Sequence, residues 1–224
     1  VIVRRKDVDK YEMNLKFEQI KAFARTGDYE SAAQIADEFD WSKIKQSKLL
    51  NLAASVYGAN KEYDKEKEVL LVAYERAPMG RQLAYRLSIA CLRLNEIEEA
   101  EEFYEDFVDM APMDTARFIL QYKIEKAKGA DIRRQIEILE ELFEEDMEEK
   151  WAYQLAALYA KDGQKDKCVA ICDEIILWFQ KGEYVKRAKE LRRMFVPEEQ
   201  EKKEAAATLE PHQEEAGSEE AESE

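Results

Sequence analysis

Apolar residues recur at spacings of three and four through most of the chain, and the runs they form are short and regularly placed. In Ile97-Glu98-Glu99-Ala100-Glu101-Glu102-Phe103-Tyr104-Glu105-Asp106-Phe107, the residues Ala100, Phe103, Tyr104 and Phe107 fall on one face of a helix. A second kind of run stands before each turn, clearest in Leu155-Ala156-Ala157-Leu158-Tyr159 and from Leu50 to Tyr57. The pattern therefore predicts helix, short turn, helix. Compared with itself, the chain repeats every 34 residues: Ala77-Pro78-Met79 returns as Ala111-Pro112-Met113, and Gly27-Asp28-Tyr29 as Lys61-Glu62-Tyr63 and Asn95-Glu96-Ile97. Two further turns are expected, at Lys128-Gly129-Ala130-Asp131 with about one extra residue, and at Lys161-Asp162-Gly163-Gln164. Asn95, with Glu98 three residues on, and Asp162 beside Gly163 read as caps for the second helices, and Pro78 and Pro112 as separators between units. After the fifth hairpin Gly182 interrupts, and residues 183–195 form one more amphipathic stretch, expected to cover the final apolar face.

These residues resemble the tetratricopeptide repeat, whose 34-residue unit reads W-x2-L-G-x2-Y, then A-x3-F, then P. The fifth unit offers Leu155-Ala156, Tyr159, Cys168 and Cys172; the third offers Leu87-Ser88, Ala100, Tyr104, Phe107 and Pro112; the second offers Ala53-Ala54, Tyr57, Leu70, Ala73 and Pro78. No unit has Trp in first place, Glu66 replaces the expected Ala in the second, and the first and fourth units are degenerate. The resemblance covers roughly residues 13–195. It implies an all-α, right-handed superhelical solenoid of about five hairpins plus a C-terminal capping helix. The first helix of each hairpin would line a concave face that binds a peptide or partner protein.

Composition and charge narrow the function. With 7 Gly and 4 Pro the chain lacks the turn residues of a barrel or sandwich, and its apolar residues never run long enough for a membrane span. Net charge is −15, of which residues 197–224 hold −9, with 11 acids, two lysines and no aromatic residue. That segment is expected to be a mostly disordered acidic tail, with a short helix over residues 198–207 as an option. The repeat domain is placed at 13–196, after a lead-in at 1–12. Val1-Ile2-Val3-Arg4-Arg5-Lys6 reads as an ordinary lead-in or as the end and basic flank of an upstream membrane anchor. Three cysteines and no secretion signal point to a reducing compartment, hence the cytoplasm or the cytoplasmic face of a membrane. The acidic balance disfavours nucleic acid as a partner, including RNA as read by the related pentatricopeptide repeats.

Candidate chemistry is sparse. His212, the single histidine, lies in the tail without a companion, and no phosphate loop, dinucleotide fingerprint or nucleophile elbow occurs. Cys168 and Cys172 share a helix face and Cys91 takes an inward position; all three are expected in the core rather than on a metal. Acid runs such as Glu140-Glu141 with Glu144-Glu145 read as a solvated face. No catalytic residue, cofactor, metal or small-molecule substrate is expected. Carrying the family's register over, the peptide groove would be lined by Lys48, Asn51 and Ser55 in the second unit. In the third it would be lined by Gln82, Tyr85, Arg86, Ile89 and Arg93, and in the fifth by Lys150, Tyr153, Gln154, Ala157 and Lys161. This set contains five cations and no acid, which favours an acidic peptide and makes the tail a candidate competitor for the groove. The lysine and arginine clamp by which some members hold a terminal carboxylate is matched only at Arg86. The alternative function is a spacer or self-assembly module in a larger complex.

Overall fold

A computed structural model describes residues 5–77 and 80–196, with side chains from Tyr11 onward. The expected tail, its optional helix, His212, Pro78 and the first residues of the lead-in lie outside this range. Among the described residues there are eleven α-helices, one 3-10 turn at Trp41–Lys43 and no strand. They fall into two compact units, divided between Asp146 and Met147.

The first unit contains four helical hairpins. They are α1 (Arg5–Thr26) with α2 (Tyr29–Ala36), α3 (Ser47–Ala59) with α4 (Tyr63–Arg76), α5 (Arg81–Arg93) with α6 (Ile97–Met110), and α7 (Ala116–Ala127) with α8 (Ile132–Glu145). The second unit contains the fifth hairpin, α9 (Glu149–Lys161) with α10 (Lys165–Phe179), and a last helix, α11 (Glu183–Arg193).

The repeat is set by the backbone at the end of each first helix. Gly27, Lys61, Asn95, Gly129 and Gly163 all have positive φ, from +62° to +80°, and each stands 34 residues after the one before. The next amide donates to the carbonyl five residues back, as in Asp28 to Phe23 at 3.0 Å and Glu96 to Cys91 at 2.9 Å. This closure ends a helix on a left-handed residue and satisfies carbonyls that would otherwise have no partner. Asn95 therefore ends α5 rather than capping α6, whose cap position is Glu96 without a side-chain cap bond. Asp162 likewise closes α9, and Gln164 precedes α10. Side-chain caps occur instead at Asp28, which accepts from Ser31 N at 3.1 Å, and Asp131, which accepts from Arg134 N at 2.8 Å. The extra residue of the fourth turn falls after Gly129, so α8 starts late while the left-handed position keeps its phase.

Where the two helices of a hairpin meet, small residues let the backbones approach. Ala100 is fully buried, and the Ser88 hydroxyl donates to its carbonyl at 2.9 Å, so the polar atom this approach buries has a partner. Between the first two hairpins the buried Trp41 Nε1 donates to Tyr57 Oη at 3.3 Å, and Tyr57 Oη donates to Asp37 Oδ1 at 3.0 Å. In the second unit α11 packs on both α9 and α10, burying Val185 and Ala188, as the capping role requires. Its N-terminus is fixed by the Val185 amide, which donates to Glu149 Oε1 at 3.2 Å. Gly182, with φ +145°, lies so close to the same carboxylate that a Cβ would stand 2.5 Å from Glu149 Oε1.

Candidate functional site

The exposed side of α3 and α5 is built from residues that alternate with the core positions of those helices. Leu50, Ala53, Ala54 and Tyr57 turn inward on α3, leaving Lys48, Asn51 and Ser55 exposed. On α5, Ala84, Leu87, Ser88 and Cys91 turn inward. Gln82 and Arg93 are exposed there, and Tyr85, Arg86 and Ile89 are half-buried. Three of these first-unit residues come together across the two hairpins. Arg86 Nη1 donates to Asn51 Oδ1 at 3.2 Å and Nη2 to Ser55 Oγ at 3.3 Å, joining residues 35 and 31 apart in the chain. Tyr85 meets Phe107 edge to face, with ring centroids 5.7 Å apart, and Ile89 packs against the cluster of Ala84, Phe107, Ala111 and Leu120. Beside them opens a cleft of about 370 Å³, lined by Arg81, Gln82, Tyr85, Arg86, Phe107, Asp114 and Ala116. The ion pair of Arg81 with Asp114, at 3.1 Å, forms part of its wall. Lys48 is not among the residues lining it.

In the second unit the expected residues lie on α9. Lys150 and Lys161 are exposed; Tyr153, Gln154 and Ala157 are half-buried. Tyr153 is partly covered by Tyr184 of α11, with ring centroids 5.8 Å apart, and Lys150 Nζ lies 4.8 Å over the Trp151 ring.

The sequence-derived groove omits Arg81, Phe107, Asp114 and Ala116, which line this cleft, and an acid beside it. Glu66, on α4, is only 5% exposed, and its carboxylate lies beside two of the expected groove residues. Arg93 Nη1 pairs with Glu66 Oε2 at 2.8 Å, and Arg86 Nη2 lies 3.8 Å from Oε1. Arg93 also sits over the Tyr63 ring at 5.0 Å. Burial pushes the Arg86 guanidinium below its ordinary pKa, with the Glu66 charge opposing that shift. Two of the five cations assigned to the groove are thus already engaged by an acid of the protein itself. The available signal was the replacement of the repeat's small residue by Glu66, together with Gly58 on the facing helix. A Cβ at Gly58 would stand 2.6 Å from the Glu66 carboxylate.

The cysteines are buried and free, as expected of core residues. Burial pushes Cys91 up to about 11 and Cys172 up to about 12, the reverse of what a nucleophilic thiolate needs. Cys91, Glu96 and Glu99 bring ligand atoms within 4.8 Å of one another, a grouping the sequence did not suggest. The Lys67 ammonium sits among them, 2.6 Å from Glu96 and 2.5 Å from Glu99, and supplies the positive charge that a cation would bring. Among the described residues no helix is long and apolar enough to cross a membrane.

No protein-family model and no curated protein sequence matches this chain. Solved structures do. A tetratricopeptide repeat protein from Parabacteroides merdae aligns with TM-score 0.61 at 16% identity, over 88% of this chain and 84% of its own. TTC0263, a thermophilic repeat protein of the same type in Thermus thermophilus, gives 0.60 at 14%, over 80% and 97%. MamA from Desulfovibrio magneticus RS-1, residues 41 to the end, gives 0.59 at 15%, over 76% and 96%. Identities this low carry the architecture and nothing about a ligand. Together with a left-handed turn recurring every 34 residues, they establish that the chain is built on the tetratricopeptide-repeat fold.

Proposed function

We propose that the protein is a non-catalytic interaction scaffold that binds a peptide or an extended segment of a partner protein along the exposed side of α3 and α5. The observation that carries this reading is the convergence of Asn51, Ser55 and Arg86 across two successive hairpins, beside a cleft lined by Gln82, Tyr85 and Phe107. An aromatic floor with polar groups around it suits one apolar side chain of a ligand, while amide and guanidinium groups meet its backbone. The same chemistry applies to the exposed residues of α9 in the second unit, taken by itself.

The test is a selection of displayed random peptides on the full chain, followed by affinity measurements on the synthesised winners. Asn51→Ala and Gln82→Ala, with helicity unchanged by circular dichroism, should each weaken binding several-fold. Glu102→Ala, on the exposed side of α6, should have no effect. Peptides that bind the Asn51 and Gln82 variants as well as the unmodified protein would overturn the assignment. A second reading, self-assembly, is favoured by Tyr11 and Leu15 on α1, exposed at 71% and 51%. It requires a sedimentation coefficient that rises with concentration and falls back in Tyr11→Lys.

A further inference from the structure

The groove carries an acid where its repeat architecture calls for alanine, and that acid faces arginines of the next hairpin. Glu66 is buried; its carboxylate fills the space left by the missing side chain of Gly58 and contacts Arg93 at 2.8 Å and Arg86 at 3.8 Å. Resting on the peptide-binding reading above, we propose that Glu66 is a specificity-determining residue. It neutralises the groove's arginine pair from within, so that the groove takes a neutral or singly acidic peptide and rejects a polyacidic one.

Two guanidiniums and one carboxylate leave a single positive charge for a ligand. A first ligand carboxylate meets that residual charge, but a second adds repulsion from Glu66 with no further cation of this cluster to offset it. Glu66 could instead be read as orienting the arginines for a ligand acid, in which case removing its charge would weaken acidic binding. The anchoring of the arginines argues against that sign. Arg86 has hydrogen-bond partners other than Glu66, in Asn51 and Ser55, and Arg93 lies over the Tyr63 ring. Replacing the carboxylate by an amide of the same shape keeps those anchors and an acceptor oxygen for Arg93, and raises the local charge by one.

The experiment uses the full chain and fluorescein-labelled hexaglutamate, a probe independent of whichever peptide the selection yields. Glu66→Gln should bind hexaglutamate about tenfold more tightly or better, the scale expected for one charge removed a few ångströms away in a partly buried site. Adding Arg86→Gln to that variant should cancel the gain, and raising the salt concentration should narrow it. Glu66→Ala provides the second arm, because it removes the same charge and restores the small residue that the repeat carries at Ala100. It should raise hexaglutamate affinity with the fold intact, so the question stays answerable if Glu66→Gln fails to fold. Unchanged or weaker binding in folded Glu66→Gln, or in Glu66→Ala where that variant alone folds, overturns the proposal. Failure of the peptide selection would instead overturn the groove as a ligand site, since hexaglutamate reports only the charge that Glu66 controls.

Discussion

Positions 66 and 100 are the same place in successive repeats, and they carry opposite solutions. Glu66 is tolerated because Gly58 gives its carboxylate room and Arg86 and Arg93 give it charge. Thirty-four residues beyond those three stand Leu92, Leu120 and Ala127, of which Leu120 is fully buried. Ala100→Glu would therefore bring a carboxylate into a fully buried site without the space or the counter-charge that its counterpart enjoys. An uncompensated buried charge costs about 3–5 kcal/mol, and overpacking a close helix contact adds about 1–3 kcal/mol. Against a domain stability of about 5–15 kcal/mol, that is a large fraction of the total. Urea unfolding followed by circular dichroism should show the first transition falling by more than about 1 M, given slopes of about 1–3 kcal/mol per molar. Glu66→Ala should be milder, at about 1–3 kcal/mol, because it removes an acid from half-exposed arginines that water can still reach. An Ala100→Glu midpoint equal to that of the unmodified protein would refute the reasoning, and a Glu66→Ala loss larger than that of Ala100→Glu would reverse its logic.

The remaining expectations concern the turns, the core and the thiols. Lys61 holds φ +64° without being glycine, a conformation that costs an ordinary residue about 1–2 kcal/mol; Lys61→Gly should therefore stabilise by about 0.5–1 kcal/mol in the same urea assay, and Asn95→Gly by less, because Asn tolerates that region. Ser88→Ala removes the bond to the Ala100 carbonyl and should cost about 0.5–1.5 kcal/mol; no change would mean that this carbonyl needs no second donor. Cys91 and Cys172 stay protonated in the fold up to about 11 and about 12, whereas unfolded thiols ionise near ~8.5. Above that unfolded value the unfolded chain has lost protons that the fold retains, so stability is intact at neutral pH and falls as pH rises towards those folded values. Cys172→Ala should make the alkaline decline shallower, and iodoacetamide should label neither thiol at mildly alkaline pH until urea unfolds the chain.

The hairpins were legible because each first helix ends on a backbone conformation that few residues favour. Gly27, Gly129 and Gly163 announce it by composition, and Lys61 and Asn95 by falling at the same 34-residue step. The cap assignments were less legible because Asn serves two ends of a helix. It is a good N-cap and a good left-handed residue, and only the bond from Glu96 to the Cys91 carbonyl decides that Asn95 ends α5. The groove positions were legible as exposed residues, since they alternate with a core whose period is plain. Their charge was not, because Glu66 lies on a second helix, 20 and 27 residues before the arginines it meets. The place of Lys67 is illegible for the same reason, since it lies on α4 while the three groups it joins lie in and after α5.

Many of the polar contacts that tie hairpins together in the first unit span close to one repeat. Tyr74 donates to Asp106 across 32 residues at 2.6 Å, Arg81 reaches Asp114 across 33, and Arg86 reaches Asn51 across 35. Each such pair bridges equivalent or nearly equivalent elements of neighbouring units, so an insertion that shifted a first helix along its axis would break several at once. A residue added between the left-handed turn and the second helix disturbs fewer of them. That is where the fourth hairpin carries its extra residue, with Asp131 supplying the cap for the delayed start of α8. The first helices also hold Asn51, Ser55 and Arg86. The register that keeps the stack in phase is therefore the same register that brings these three side chains together, and a groove built this way is only as ordered as the contacts between its hairpins.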